Sequence, residues 1–204
     1  MPELIEFYRT AATKGPWGPG AALSFIGPKA KTAVPALLSN LQSTNVAARE
    51  VAAAALGEIH SNHELVVPIL MIALNDPASP VRHAAITALG KYGPAATEAV
   101  PRLVEMVNAS TSGYPDFHIV EVLGEIHSRP DLVVPILTDL LCRPDKRFLP
   151  PVLWSLGQFG TGAESAVSKL IQLYRDEDDA QRAEPIGRTL KSINPEAARE
   201  LGLK

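Results

Sequence analysis

A long internal repeat constrains this chain more than any other feature. Residues 56–70 return at residues 123–137, so both stretches contain Leu-Gly-Glu-Ile-His-Ser followed by Leu-Val-Val-Pro-Ile-Leu at a constant offset of 67 residues. Further Leu-Gly pairs at 89–90 and 156–157 lie 33 residues after the pairs that open the two copies. Self-similarity at a fixed period is typical of stacked-repeat proteins, because one unit cannot bury its own apolar face. The chain is therefore predicted to be a repeat array.

Each period contains two patterns with helical spacing. The first carries apolar residues at i, i+3, i+4 and i+7, and a proline usually follows its first residue, where the N–H groups of a helix lack acceptors. These patterns, which we name A helices, begin at Val34, Val67, Val100, Val134 and Val167. The second pattern, the B helices, places small or apolar residues around the Leu of each Leu-Gly pair. This Leu falls at positions 23, 56, 89, 123, 156 and 190.

These patterns predict an all-α fold, because the period-two alternation of a half-buried strand is nowhere sustained. We expect a right-handed α-solenoid (superhelix) of about six two-helix units that form a single repeat domain over residues 1–204. Abundant alanine in the B helices indicates that these helices approach each other closely. The units are expected roughly at residues 1–27, 28–60, 61–93, 94–127, 128–160 and 161–204.

One segment also resembles a known family. It runs from Asn75-Asp76-Pro77 through Val81-Arg82 to Leu89-Gly90, and Gly-Pro and Val-Pro pairs follow. It looks like the short HEAT-like repeat also found in phycobilin lyases, and the alternating turns resemble those of bacterial HEAT-repeat domain proteins. The resemblance covers essentially the whole chain. It implies a curved superhelix with the B helices on the concave side and a binding role, without implying a ligand.

The chain departs from the family pattern in three ways. The Val-Arg pair of residues 81–82 becomes Pro115-Asp116 further along, which predicts an incomplete Asp/Arg ladder between units in the C-terminal half. Prolines at 115, at 150–151 and at 185 are expected to cut short the starts of the last three B helices. The first unit matches the repeat without a polar cap before it, which suggests that the chain is part of a longer array.

Composition argues against several classes of function. The formal net charge of −3 gives no support for a nucleic-acid or membrane-surface footprint. No apolar stretch approaches the roughly 20 residues of a membrane span. The N-terminus lacks the features of a signal peptide. By default we therefore predict a cytoplasmic location without membrane insertion. The single cysteine, Cys142, excludes an intrachain disulfide framework and is expected to pack as a small core residue.

The histidines raise the question of a metal site. His60 and His63, with Glu64 adjacent, have a plausible ligand spacing. However, the copy of this turn around His127 has arginine and proline in place of the second histidine and its neighbour. His60 also follows a helix C-terminus, where a partly cationic side chain is favourable. We expect a turn residue rather than a ligand, and neither a metal nor a cofactor. The chain contains no nucleophile elbow, phosphate loop or dinucleotide fingerprint, so an enzyme is not expected.

Candidate binding residues follow from the exposed side of the B helices. If the apolar positions pack inward, the positions at −6, −2 and +2 from the Leu marker face outward. Both tryptophans, Trp17 and Trp154, fall in these positions, and each has an alternative interpretation as a core or gap-filling residue. Exposed aromatics flanked by charges are common anchors of protein-binding faces. We therefore select as candidates Glu50, His83, Phe117, Glu121, Trp154 and Arg188.

The sequence thus predicts a non-enzymatic scaffold that binds a protein or peptide along the concave face of a HEAT-like solenoid. DNA is not expected as a partner, because glutamates outnumber basic residues in the outward-facing positions. Two alternatives stay open. One is a lyase-like or chaperone-like role on a small cofactor or chromophore, and the other is a structural spacer within a longer multi-domain protein.

Overall fold

The computed structural model describes residues 31–109, 116–143, 147, 149–176 and 180–203, and the regular elements in these ranges are all helical. This confirms the predicted all-α class. Short 3₁₀ segments at Gly93–Ala99 and Gly160–Ala166 precede α5 and α9. The described α-helices are α1 (Val34–Asn40), α2 (Val46–Ile59), α3 (His63–Ala73), α4 (Ser79–Lys91), α5 (Val100–Asn108), α6 (Phe117–Ile126), α7 (Pro130–Leu141), α8 (Leu149–Phe159), α9 (Val167–Asp176), α10 (Ala180–Ile193) and α11 (Pro195–Glu200).

The chain divides into two compact units, Met1–Ala99 and Val100–Lys204. The first contains α1 to α4, and the second contains α5 to α11. The odd-numbered helices from α1 to α9 are the predicted A helices, and the even-numbered helices from α2 to α10 are the B helices. The single domain of six repeat units stays a prediction. Its first unit, residues 1–27, lies outside the described residues together with Trp17.

The A helices bury the predicted apolar pattern. Residues i and i+3 of this pattern are buried in all five A helices, as at Val67 and Leu70 of α3, and residue i+4 is half-buried in each. The B helices also pack through small residues, as in α2, which buries four alanines along its length. A Cβ on Gly57 of α2 would lie only 2.7 Å from the Cα of Ala88 in α4. Gly57 therefore permits close contact between α2 and α4.

Two ion pairs link α2 to residues of the next repeat period: Lys91 with Glu58, and Arg49 with Asp76. Arg49 of α2 donates to both carboxylate oxygens of Asp76 at 2.7 and 2.9 Å, and Asp76 also accepts from the Ala78 N–H at 2.8 Å. The guanidinium of Arg49 lowers the pKa of the Asp76 carboxyl, since a hydrogen bond from a cation favours the charged form. Arg82 of α4, which lies one repeat period after Arg49, donates to the backbone carbonyl of Asp76 at 2.8 Å. One rung of the expected Asp/Arg ladder is thus formed here.

Proline positions correct part of the sequence-based prediction. The helices α6 and α8 are short, at 10 and 11 residues against 14 for α2, in line with the shortened starts that were predicted. Pro185, however, lies inside α10, which begins at Ala180, so the prediction for that helix was wrong. Pro68 and Pro135 likewise lie inside α3 and α7 instead of near their starts. Burial of Ile186, Leu190 and Ile193 holds α10 together beyond its proline.

Candidate functional site

Of the two histidines considered as metal ligands, His60 lies in a tight turn and His63 is the first residue of α3. His60 and His127 each follow a B helix in the left-handed conformation, with φ of 45° and 33°, and their N–H groups bond to Leu56 and Leu123 carbonyls. His60 also meets the ring of Tyr92 edge-on at 5.0 Å. Within the described ranges, His, Cys, Asp and Glu form no group of three or more that could hold a metal ion. Cys142 was expected in the core, but it is exposed at the end of α7.

The six candidate binding residues divide between the two compact units. In Met1–Ala99, Glu50 is half-buried on α2 and His83 is exposed on α4. The other four lie in Val100–Lys204 on three B helices: Phe117 and Glu121 on α6, Trp154 on α8, and Arg188 on α10. Phe117 is half-buried and the other three are exposed. Four of the six positions are thus exposed, as expected for outward-facing residues, and two are half-buried; their role in binding stays a prediction.

A pocket of about 600 Å³ lies across α6, α8 and α10. Glu121, Trp154 and Arg188 all line it, so the structure brings three of the six candidates together. Phe117 is not among the lining residues. Sequence reasoning did not select the remaining lining residues, which are Pro150, Pro151, Leu153, Gly157 and Gln158 of α8 and Pro185, Thr189 and Ser192 of α10. The three prolines, Leu153 and Trp154 make most of this surface apolar.

The indole of Trp154 packs against α6 at Gly124, which has no side chain. Its ring atom Cζ3 lies 2.8 Å from the position that a Cβ on Gly124 would occupy. Glycine at this position therefore leaves the space that the indole fills. Even so, 45% of Trp154 remains exposed, which is unusual for so large an apolar side chain in a helix. The ring thus combines fixed placement with an accessible face.

Hydroxyl groups join the three helices beneath the pocket. Ser155 of α8 donates to the Val120 carbonyl of α6 at 2.7 Å. From α10, Thr189 donates to the Leu153 carbonyl and Ser192 to the Gly157 carbonyl, both at 3.2 Å. These side chains bond to backbone carbonyls of the neighbouring helix, so each link fixes the position of one B helix against the next. The pocket is therefore built on connected helices and not on loops.

Two opposite charges stand at the pocket. Glu121 is exposed on α6, and no ion-pair partner of its carboxylate occurs in the described part of the chain. Arg188 lies on α10, where its Nε is 3.4 Å from the Oε1 of Glu184, and both side chains are 68% exposed. An ion pair this open to solvent contributes little stability. The pocket therefore offers a ligand two opposite charges beside an apolar surface.

The sequence matches a family model over part of its length. Residues 34–116 match the model described as HEAT repeats, which confirms the resemblance seen in the sequence. No curated protein matches the chain in sequence. The matched region contains α1 to α5 and the Leu-Gly pairs at 56–57 and 89–90.

Solved structures with similar folds are repeat solenoids. A designed armadillo repeat protein in complex with the peptide (KR)4 has a TM-score of 0.69 at 16% identity, covering 95% of this chain and 99% of that one. An engineered protein has a TM-score of 0.66 at 20% identity, covering 96% and 98%. The complex of CpcE and CpcF of phycocyanin lyase from Nostoc sp. has 0.51 at 21% identity, covering 94% and 81%. At these identities the likeness establishes the repeat-solenoid fold alone.

Proposed function

We propose that the pocket across α6, α8 and α10 binds an extended segment of a partner protein. One observation carries this proposal: the pocket joins an exposed tryptophan, which packs against Gly124, with a carboxylate on one neighbouring helix and a guanidinium on the other. Trp154 would supply the apolar anchor, and Glu121 and Arg188 would fix the register of the segment. Aromatic and arginine side chains contribute most strongly to binding when they lie at the centre of an interface.

The dimensions of the pocket support an extended ligand. Packed helices are spaced by about 8–10 Å, so three adjacent B helices span roughly 20 Å. About six residues of extended chain cover that distance at roughly 3.3 Å per residue. The armadillo neighbour, whose structure holds the peptide (KR)4, gives an example of a similar fold in complex with a peptide. Glu50 and His83 of the other compact unit are proposed as further contacts, independent of this pocket.

The test is to capture partners on the immobilised chain and then to measure their affinity for single variants. Trp154→Ala should weaken binding by about 2 kcal/mol, or roughly thirtyfold, which is typical of an aromatic anchor. Ile72→Ala is the matched control, because Ile72 is an apolar side chain that is 72% exposed on α3 and does not line the pocket. Partner binding that survives Trp154→Ala with the helical content unchanged would contradict this assignment.

A second candidate function is the binding of a small molecule. The pocket volume of about 600 Å³ falls within the range of typical ligand sites, and its lining is largely apolar with a few polar groups. Native mass spectrometry of the purified chain tests this candidate, because a co-purifying ligand adds a defined mass. If that mass is lost in Trp154→Ala and kept in Ile72→Ala, the small-molecule function is favoured over the peptide.

A further inference from the structure

The polar side chains that line the pocket include acceptors on Glu121, Thr189 and Ser192, and donors on Arg188 and Gln158. Thr189 and Ser192 direct their single hydroxyl hydrogens to the carbonyls of Leu153 and Gly157, so toward a ligand their oxygens offer lone pairs. Glu121 adds a carboxylate, which accepts only when ionised. A ligand group that contacts Glu121, Thr189 or Ser192 must therefore bring donors.

The pocket also lacks the donors that a helix start normally provides. Pro150 and Pro151 lie in the first turn of α8 and line the pocket, and proline has no backbone N–H. The positive end of α8 therefore cannot present N–H groups at these two positions, as anion-binding helix starts do. An anionic ligand gains little from this side of the pocket.

The charges favour a cation in the same way. Arg188 is paired with Glu184, whereas Glu121 has no charged partner in the described part of the chain. The lining charges are one of each sign, and the negative one, on α6, is the one without a charged neighbour in the described part of the chain. The Trp154 ring lies at Gly124 of α6, and Glu121 lies one helical turn before Gly124 on the same helix. The carboxylate and the indole are therefore neighbours. A tryptophan face beside a carboxylate is a favourable setting for a cationic side chain.

We propose that the peptide segment places an arginine or lysine side chain between the indole of Trp154 and the carboxylate of Glu121. This inference rests on the proposed peptide-binding function. The cationic group would donate to Glu121, while its aliphatic stem packs on the proline-lined apolar surface.

In the experiment, a display library of short random peptides is selected for binding to the immobilised chain. Peptides that also bind the Trp154→Ala variant are then removed. Selected peptides should be enriched in arginine or lysine at one position. Replacing that residue, as arginine, by the neutral isostere citrulline should weaken binding by about threefold to thirtyfold, the range for cation–π contacts. Glu121→Gln should also weaken the parent peptide and should have little further effect on the citrulline peptide, because both changes remove the charge pair with Glu121.

The matched control is Gln158→Ala, which alters a polar side chain of the same pocket and leaves Trp154 and Glu121 in place. It should change the effect of citrulline little. Peptides that require Trp154 but contain no basic residue, or that bind equally well as citrulline peptides, would overturn the inference and leave the peptide-binding function intact. Selection of acidic peptides that depend on Arg188 would also overturn it, because the pocket would then prefer an anionic side chain. If no peptide requires Trp154, the proposed function fails and the inference fails with it.

Discussion

At the scale of single residues, Tyr92 links the turn that follows α2 to the end of α4. It is 3% exposed, and its hydroxyl lies 2.9 Å from the Ser61 carbonyl and 3.1 Å from the Leu56 carbonyl. Burial raises the pKa of Tyr92 from 10.0 to about 12, because an apolar environment disfavours the phenolate. The second copy of the repeat has Phe159 at the position that corresponds to Tyr92, so it lacks this hydroxyl.

This environment predicts a loss of stability at high pH. The unfolded tyrosine ionises near pH 10 while the folded one keeps its proton, so its contribution is complete below pH 10 and is lost as the pH rises towards about 12. Between pH 9 and pH 11.5 the free energy of unfolding should fall by about 1 to 2 kcal/mol from this group. Urea titrations of the wild type and of Tyr92→Phe measure the difference, which isolates Tyr92 from the other alkaline groups. Equal pH slopes in the two proteins would contradict the prediction.

The left-handed turn residue after α6 gives a second prediction at this scale. His127 has φ of 33°, a region that costs a side-chain-bearing residue roughly 1 kcal/mol or more. Glycine is the preferred residue at such a helix end. His127→Gly should therefore be more stable than His127→Ala by about 1 kcal/mol, although glycine normally destabilises through chain entropy. Thermal or urea unfolding of the two variants measures this order, and a more stable alanine variant would contradict it.

At the scale of elements, two glycines in the same motif position have opposite surroundings. A Cβ on Gly124 would lie 2.7 Å from the Ser155 Oγ and 2.8 Å from its Cα, so α6 and α8 would have to separate. A Cβ on Gly157 would meet nothing within 4 Å. Gly124→Ala should thus destabilise by about 1 to 3 kcal/mol, as overpacking does. Gly157→Ala should stabilise by up to about 1 kcal/mol, because alanine favours the helix. Urea unfolding of both variants measures the contrast, and equal effects would contradict the packing argument.

The contrast between these glycines also shows how far the sequence predicts the structure. The apolar spacing of the A helices was predictable, because burial on one side of a helix requires a period of 3.6 residues. The small residues of the B helices and the outward orientation of Glu121, Trp154 and Arg188 followed from the same period. The sequence does not show that Gly124 receives the Trp154 ring while Gly157 is open, because both read as Leu-Gly. That difference arises only when neighbouring helices are packed.

The pocket was not predictable for the same reason. Thr189 and Ser192 lie on α10, about 35 residues after the carbonyls to which they donate, and no local pattern links the two. Pro185 was expected to shorten α10, although tertiary burial of the helix beyond it outweighs the lost hydrogen bond. Sequence reasoning therefore found the outward-facing residues, and helix packing decides which of them share a pocket.

At the scale of the whole molecule, the division into two compact units predicts which helices a destabilising substitution affects. In repeat proteins each unit contacts only its neighbours, so a local disturbance is felt first by adjacent helices. A Cβ on Gly57 would press on the backbone of Ala88, and both residues lie in Met1–Ala99. All residues that line the pocket lie in Val100–Lys204. Gly57 and Gly124 therefore form a matched pair of close helix contacts, one in each unit.

Alanine at these two glycines should separate stability from binding. In Gly57→Ala, hydrogen exchange should quicken in α2 and α4, while a peptide selected for the pocket keeps its affinity within about twofold, since sites without shared partners act independently. In Gly124→Ala, exchange should quicken in α6 and α8, and the peptide should bind more weakly because the Trp154 ring loses its place. Mass-spectrometric hydrogen exchange and fluorescence anisotropy measure the two effects on the same samples. If Gly57→Ala weakened the peptide as much as Gly124→Ala, the pocket would depend on both units, and binding would have to be treated as a property of the whole array.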